Sequence, residues 1–411
     1  MTSVPLRSAA SPASAAQGEG ARCRPLRVVH CMTSNNGMTG VETFVLQLCA
    51  AQMREGLTPS IALELAGRAG FGRRDEVARA GAALGIGVVP LPERSAWENR
   101  LPKKLGTASL RARRLWAVAQ LARAADVLHI HAVGIAGLEE LAAGALIRAR
   151  AIVVTHHTTL SYSASMRDRV SDLTFFLEKR AASLSVMPYA AAAQELGAAG
   201  VAASRHAVIP FCIDEGRFTG LAASPAPGEL KLLMASRMVE GKGHEVLLAA
   251  VAKLRPRHPG LRLLVVGEGP TRPRIEAEID RLELRGAVDM AGHVDHGQMP
   301  ALLRSAHVVV LPSFMQGETF PLCLLEGMAL GLPAIGTRWF GIPDIIEDGR
   351  TGFVVEPRDP EALARAIERF LVEPALWAAA SRRAQERVRA RFTGVAVARA
   401  YSQAYEAALD R

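Results

Sequence analysis

The sequence predicts an α/β chain of two doubly wound, parallel-sheet domains in series. Three observations carry that expectation. From about residue 26, short apolar runs rich in β-branched residues alternate with helical stretches, the pattern of a parallel sheet covered on both faces. Over residues 208–230 the alternation breaks in a segment rich in Ala, Pro and Gly, and then restarts. The chain has 411 residues, 49% of them hydrophobic, which exceeds one ordinary core and suffices for two.

The elements follow in order. Residues 1–25 are rich in Ala, Ser and Pro without an apolar block, which reads as a disordered tail and not a secretory leader. "LRVVHCM" is the first strand; it stops at "TSNNGMTG", and "VETFVLQLCAAQMREG" reads as a helix. "PSIALEL", "GIGVVPL", "DVLHIHAV" and "AIVVTHH" supply further strands of a first domain over 26–207. "VIPFCIDEGRF" and "TGLAASPAPGEL" form a hinge and linker over 208–230. A second domain over 231–390 takes its strands from "KLLMASRM", "LRLLVVGEG", "AVDMAGHV", "HVVVLPS", "PAIGT" and "TGFVVEP". Residues 391–411 read as a last helix.

No run of eighteen apolar residues appears, so no transmembrane helix is expected. Five cysteines, an odd count without a C-x-x-C pair, argue against a disulfide framework or structural zinc and suit the cytoplasm. The net charge is +9, which fits nucleic acid, anionic lipid or phosphorylated substrates as partners. Residues Arg100 to Arg114 hold six bases and no acid. That stretch is either a surface for anionic membrane or an acidic acceptor, or a solvated helix face.

Ligands of doubly wound sheets bind beyond the carboxyl ends of the strands, so polar residues there are the candidates. In "SRMVEGKGHEVLL", Arg237 and Lys242 flank a glycine-bearing turn between a strand and a helix. Two cations beside a helix N-terminus suit a diphosphate; a solvated basic turn is the plainer reading. The spacing is not that of a P-loop. In "GETFPLCLLEGMALGLP", Glu318 lies before a helix opened by Pro321 and Glu326 lies on its second turn. Eight helical residues span ~12 Å, the scale of a sugar nucleotide, whose vicinal hydroxyls donate to carboxylates. The plainer reading is a dipole-facing Glu and an unrelated salt bridge. His129 and His131 alternate on one strand and share a face, with His131 nearer the carboxyl end; His156 and His157 repeat the theme. Core histidines are as good an account, and no metal-ligand spacing appears, so no metal is expected. Gly37 and Gly40, in "NNGMTGVE", allow a ligand close to the backbone but do not match G-x-G-x-x-G, which demotes a nicotinamide enzyme.

Taken in order, these motifs resemble those of the retaining, GT-B-type family 4 glycosyltransferases, over residues 26 to 410 and most closely from Val208 to Pro357. "VIPFCIDEGRF" is similar to that family's "PNGVDxxxF", and "SRMVEGKGHEVLL" to "GRLxxxKGxxxLL". "LLVVGEGPTRPRIE" is similar to "xxVGxGPxxxxLE", and Glu318 and Glu326 match its E-x7-E pair. The chain departs from the pattern at Pro321, Gly327, Asp344 and Trp339-Phe340. The resemblance implies the GT-B fold and a set of roles. Arg237 and Lys242 would neutralise a leaving nucleoside diphosphate, Glu318 would bind the donor sugar and Glu326 the ribose. The backbone of Phe320, Pro321 and Leu322 would approach the sugar or β-phosphate. Gly40 would close over the diphosphate, His131 would lie near the transferred sugar, and Gly292, His293 and Val294 would sit by the base. The last helix would cross back to the first domain.

The implied function is retaining, metal-independent hexosyl transfer from a nucleotide sugar, with a UDP-sugar favoured and GDP-mannose the alternative. The acceptor would be a glycan or lipid-linked hydroxyl in polysaccharide or envelope glycan synthesis. The nucleotide sugar is a substrate, so no cofactor is expected, and no nucleic-acid partner. The setting would be the cytoplasm, with possible contact to the inner membrane face through Arg100–Arg114. The rival readings are a sugar-nucleotide epimerase and a non-catalytic sugar-nucleotide-binding partner subunit.

Overall fold

The computed structural model describes residues 24–32, 40–63, 75–93, 95–133, 137–158 and 169–411. The N-terminal tail to residue 23 and the glycine loop around Gly37 lie outside them. The described residues form two parallel sheets, each flanked by helices.

The first sheet has seven strands: β1 (Arg27–Met32), β2 (Thr58–Leu63), β3 (Gly87–Pro90), β4 (Val127–Ala132), β5 (Ile152–His156), β6 (Leu184–Met187) and β7 (His206–Val208). Their order is β3-β2-β1-β4-β5-β6-β7. β1 lies in register between two neighbours, with His30 opposite Ile61 on one side and His129 on the other. β4 and β5 are buried at every position, as central strands covered on both faces must be. β6 and β7 were not read as strands from the sequence. They are four and three residues long, too short to carry a periodicity.

The second sheet has six: β8 (Glu229–Ala235), β9 (Gly260–Val266), β10 (Val288–Gly292), β11 (Val308–Leu311), β12 (Ala334–Thr337) and β13 (Gly352–Val355), in the order β10-β9-β8-β11-β12-β13. The strand order reverses between β1 and β4 in one sheet and between β8 and β11 in the other. Such reversals open crevices at the carboxyl ends.

Residues 209–228 join the sheets without a strand or helix. The final helix, Gly394–Leu409, packs on the helix Gly40–Arg54 of the first domain and buries Tyr401 and Tyr405 completely. The isolated bridge between Ile213 and Thr393 ties the linker to the start of that helix. Among the described residues, no helix is long and apolar enough to cross a membrane.

Candidate functional site

The site is built on the carboxyl edge of the second sheet. β8 runs into the loop 236–243 and then the helix His244–Leu254. Gly241 and Gly243 take φ of 84° and 86°, a region that favours glycine. A Cβ on Gly243 would strike the Pro312 carbonyl, and one on Gly241 would meet Met315. These glycines let the β8 loop lie against the β11 loop, and Phe314 N–H donates to Gly241 O at 2.7 Å.

This approach sets the charges. Lys242 and Glu318, both almost fully buried, form an ion pair. Ser313 Oγ lies 3.2 Å from Glu318 Oε2 and 3.3 Å from Gly241 O. Arg237 is exposed, with no acidic partner among the described residues. His244 opens the following helix; burial first, and then Lys242, lower its pKa to about 4, so its ring is neutral at physiological pH.

The second carboxylate lies on the helix Leu322–Ala329. Pro321 occupies the N-cap position with extended backbone, so the helix begins at Leu322, one residue after the start expected from sequence. Glu326 is buried and accepts from His296 Nε2 at 3.0 Å. His296 was not singled out from the sequence, because it lies thirty residues from Glu326 in the chain. Cys323 lies within the fields of both carboxylates: burial, then Glu318 and Glu326, push its thiol up to about 12. Phe320 and Pro321 are buried at the mouth of the helix, and Leu322 is half-buried. Gly292 is buried at the end of β10, with His293 exposed and Val294 half-buried. Gly267 N–H donates to Gly292 O at 2.8 Å, holding the β9 and β10 ends together.

The first domain meets this edge at a few points. Thr319 Oγ1 donates to His157 O at 2.8 Å. Phe211 of the linker packs edge-on to Phe320, with ring centroids 5.7 Å apart. Asp344 accepts from Ala190 N–H, at the start of the helix Ala190–Ala198, and burial raises its pKa. Gly40, exposed, begins the helix Gly40–Arg54. His131 is placed differently from the other candidates. It is fully buried between His30 and His157, bonded to them at 2.9 and 3.0 Å. The histidine tied to the Glu318–Phe320 loop is His157, which sequence reading noted only as a repeat of the theme.

One ring nitrogen each from His30, His129 and His131 lies within 4.8 Å of the others. Among the described residues this is the one group of side chains spaced to hold a metal ion, and it joins histidines of β1 and β4 that no local spacing connects. The ring nitrogens are instead engaged in hydrogen bonds with one another and with Gln52, Thr155, His157 and Tyr405.

The basic stretch Arg100–Arg114 is partly neutralised. It forms the turn Glu98–Arg100 and the first half of the helix Lys103–Ala124. Arg113 forks onto Glu98, at 3.2 and 2.7 Å, and also reaches Glu93 O; Arg114 donates to Pro92 O at 3.0 Å, and Arg111 pairs with Glu139 at 3.1 Å. Arg100 and Lys104 remain on the surface with Trp97, Leu105 and Trp116, the last 66% exposed.

Comparison with known proteins gives a consistent picture. Residues 222–387 match the family model described as Glycosyl transferases group 1, and residues 38–217 match that described as Glycosyltransferase Family 4. A glycogen synthase of Mycobacterium tuberculosis is 34% identical over 201 residues, 49% of this chain and 48% of that protein. A putative colanic acid biosynthesis glycosyltransferase, WcaL of Salmonella typhimurium, is 31% identical over 183 residues, 43% of this chain and 45% of that protein. The chain spans about half the length of the curated relatives it matches. Among solved structures, Anabaena HepE in complex with UDP superimposes with a TM-score of 0.75 at 20% identity, over 93% of this chain and 100% of that one. HepE has also been solved with UDP-glucose, at a TM-score of 0.71, 19% identity and coverage of 93% and 99%.

Proposed function

The chain belongs to the GT-B glycosyltransferases of family 4, and from that premise we propose that it moves a hexosyl group from a nucleotide sugar to an acceptor hydroxyl. The observation that carries this reading is the buried Lys242–Glu318 pair at the β8–β11 crevice, with Glu326 buried on the helix that follows. A donor diphosphate would take Lys242, and the sugar hydroxyls would take the freed Glu318. Arg237, exposed nearby in sequence and unpaired, would add a second cation, while the N-terminus of the helix Leu322–Ala329 would face the phosphates. Glu326, oriented by His296, would accept from the ribose hydroxyls. Gly40 would close on the diphosphate from the first domain, and Gly292–Val294 would border the base.

As the sugar C1–O bond lengthens toward an oxocarbenium-like state, charge grows on the leaving diphosphate, where these groups stabilise it. Among the described residues no carboxylate stands out as a covalent nucleophile; the retention that the family resemblance implies would have the leaving oxygen take the acceptor proton on the same face. With protein cations at the diphosphate, no divalent ion is required. UDP is the favoured nucleotide, because HepE structures hold UDP and UDP-glucose; GDP-mannose is the alternative. A glycan or lipid-linked acceptor fits relatives named for glycogen and colanic acid.

A thermal-shift panel of UDP, GDP, ADP and their sugars, with and without EDTA, tests the reading. The expected result is a shift with one nucleotide, unchanged by EDTA and lost in Glu326→Ala. No shift with any nucleotide would remove the donor site. Donor conversion without acceptor would instead mark an epimerase, and binding without turnover a partner subunit.

The surface of Trp97, Arg100, Lys104, Leu105 and Trp116 combines exposed aromatic and basic groups, which suits an anionic membrane on the cytoplasmic side. Flotation with anionic vesicles should fall in Trp97→Ala/Trp116→Ala and with added salt; binding unchanged by both would sink the membrane contact.

A further inference from the structure

The first domain contains a set of buried polar side chains that the proposed mechanism does not use. His30, His129 and His131 are fully buried, and His157 nearly so. They belong to one continuous hydrogen-bonded chain that starts on the final helix. Gln52 Nε2 donates to Tyr405 Oη at 3.0 Å, and Gln52 Oε1 lies 2.8 Å from His30 Nε2. His30 Nδ1 lies 2.9 Å from His131 Nε2, and His131 Nδ1 lies 3.0 Å from His157 Nε2. A second arm leaves Tyr405 Oη for His129 Nδ1 at 2.8 Å, continues from His129 Nε2 to Thr155 Oγ1 at 2.7 Å, and ends on Tyr401 Oη at 3.0 Å. The first arm ends at His157 Nδ1, a buried nitrogen without a hydrogen-bond partner among the described residues.

Burial keeps these rings neutral: it lowers the pKa of His30 to about 4 and of His157 to about 3, and those of His129 and His131 well below the usual value. A neutral imidazole has one donor and one acceptor nitrogen, so one proton position determines the rest. Gln52 makes the choice. With its amide N–H toward Tyr405, its oxygen accepts from His30 Nε2–H, and His30 Nδ1 is an acceptor. His131 then donates from Nε2 and accepts at Nδ1. His157 donates from Nε2, and its Nδ1 carries a lone pair. Turning the Gln52 amide over would reverse every proton in this arm and leave a buried N–H on His157 with no acceptor among the described residues. Orphaned buried N–H groups are rarer than under-used acceptors, so the first polarity is the favoured one.

We propose that Gln52 and Tyr405, acting through His30 and His131, are positioning residues that hold His157 in its Nε2–H tautomer, so that Nδ1 is kept as an acceptor for a hydroxyl of the bound substrate. The location supports a role at the site, since His157 O is bonded to Thr319, next to Glu318. The chain also makes the final helix part of the site, because Tyr405 reaches Gln52 from 353 residues away. The substrate half of this inference rests on the transferase reading; the tautomer half does not.

Long-range 1H–15N correlation spectra of the full chain, with 15N-labelled histidine, read each tautomer directly. The wild-type protein without ligand should show His157 with a bare Nδ1 and a protonated Nε2 at pH 7. The opposite tautomer, or a doubly protonated ring, overturns the proposal without recourse to any variant. Gln52→Leu should give mixed tautomers at His157. Tyr405→Phe, which removes the partner that fixes the Gln52 amide, should likewise mix the tautomers. In turnover, Gln52→Leu should lower kcat about tenfold with the donor KM little changed, the loss of about one hydrogen bond. An unchanged His157 tautomer in Gln52→Leu overturns the positioning role. If the wild-type protein turns over no nucleotide sugar, the transferase reading fails while the spectra still decide the tautomer. Turnover with the reversed tautomer rejects only this inference.

Discussion

Lys242 and Glu318 form a buried ion pair, whose part in stability can be separated from its proposed part in donor binding. Removing one partner of a buried ion pair leaves the other charge without compensation, at a cost of about 3–5 kcal/mol, whereas removing both is far milder. Lys242→Met should therefore lower the urea midpoint strongly. Adding Glu318→Gln should recover most of that stability while transfer stays abolished. Equal stability of the single and double variants would show that the pair is not coupled as the buried contact implies. Both members were legible in the sequence, since each sits in a short motif at a strand end. Their pairing was not legible, because seventy-six residues separate them. The same holds for Glu326 and His296.

At the scale of elements, the loops that end β8 and β11 depend on backbone freedom more than on side chains. Gly243→Ala would place a Cβ at positive φ and against the Pro312 carbonyl. The expected outcome is a loss of about 1–2 kcal/mol from the backbone strain and a larger loss of nucleotide affinity, because the β11 loop must retreat with Glu318. Calorimetry with the preferred nucleotide checks it; wild-type affinity would show that the loop contact does not shape the site. Long strands were readable from their apolar runs, and the helix carrying Glu326 was readable to within one residue of its start. β6 and β7 were not, since "LSVM" and "HAV" are brief and partly polar. The helix Lys103–Ala124 was read as a block of bases, but Arg113 and Arg111 find Glu98 and Glu139 outside that block. Local sequence counts charge; only the fold says which charge is spent inside the protein.

For the whole molecule, the buried histidines tie stability to pH. A histidine with a folded pKa below its unfolded value takes a proton more readily when unfolded. Its contribution is full above about pH 6.5 and is lost as pH falls from there toward the folded value, about 4 for His30 and about 3 for His157. His129 and His131 act in the same direction. His156 acts oppositely: burial lowers its pKa, but Glu178 at 2.7 Å raises it overall, so its contribution is lost as pH rises through the folded value. His244, lowered to about 4, adds a fifth in the same direction, and five groups outweigh one on the acid side. Each of the five costs roughly 2 kcal/mol between pH 7 and pH 5 by linkage. The urea midpoint should therefore fall steeply below pH 6.5, and His129→Asn should flatten that fall. A midpoint constant from pH 7 to 5 would contradict the neutral, buried chain. The two domains share this dependence, because Tyr401 and Tyr405 carry the final helix from the second domain onto the first.

By itself, the sequence determined the alternation of strands and helices, the two doubly wound sheets, the break in that alternation over residues 208–230 and the motif that carries Glu318 and Glu326. Each is written in local periodicity, or in a motif whose residues lie within about two helical turns. Tertiary structure decided which charges meet: Lys242 with Glu318, Glu326 with His296, Arg113 with Glu98. It also decided that His131 lies inside a buried hydrogen-bonded chain while His157 stands beside the Glu318 loop. The physical reason is that parallel strands adjacent in a sheet are distant in sequence. β1 pairs with β4 across about a hundred residues, so contacts between their side chains leave no pattern in any window of the chain.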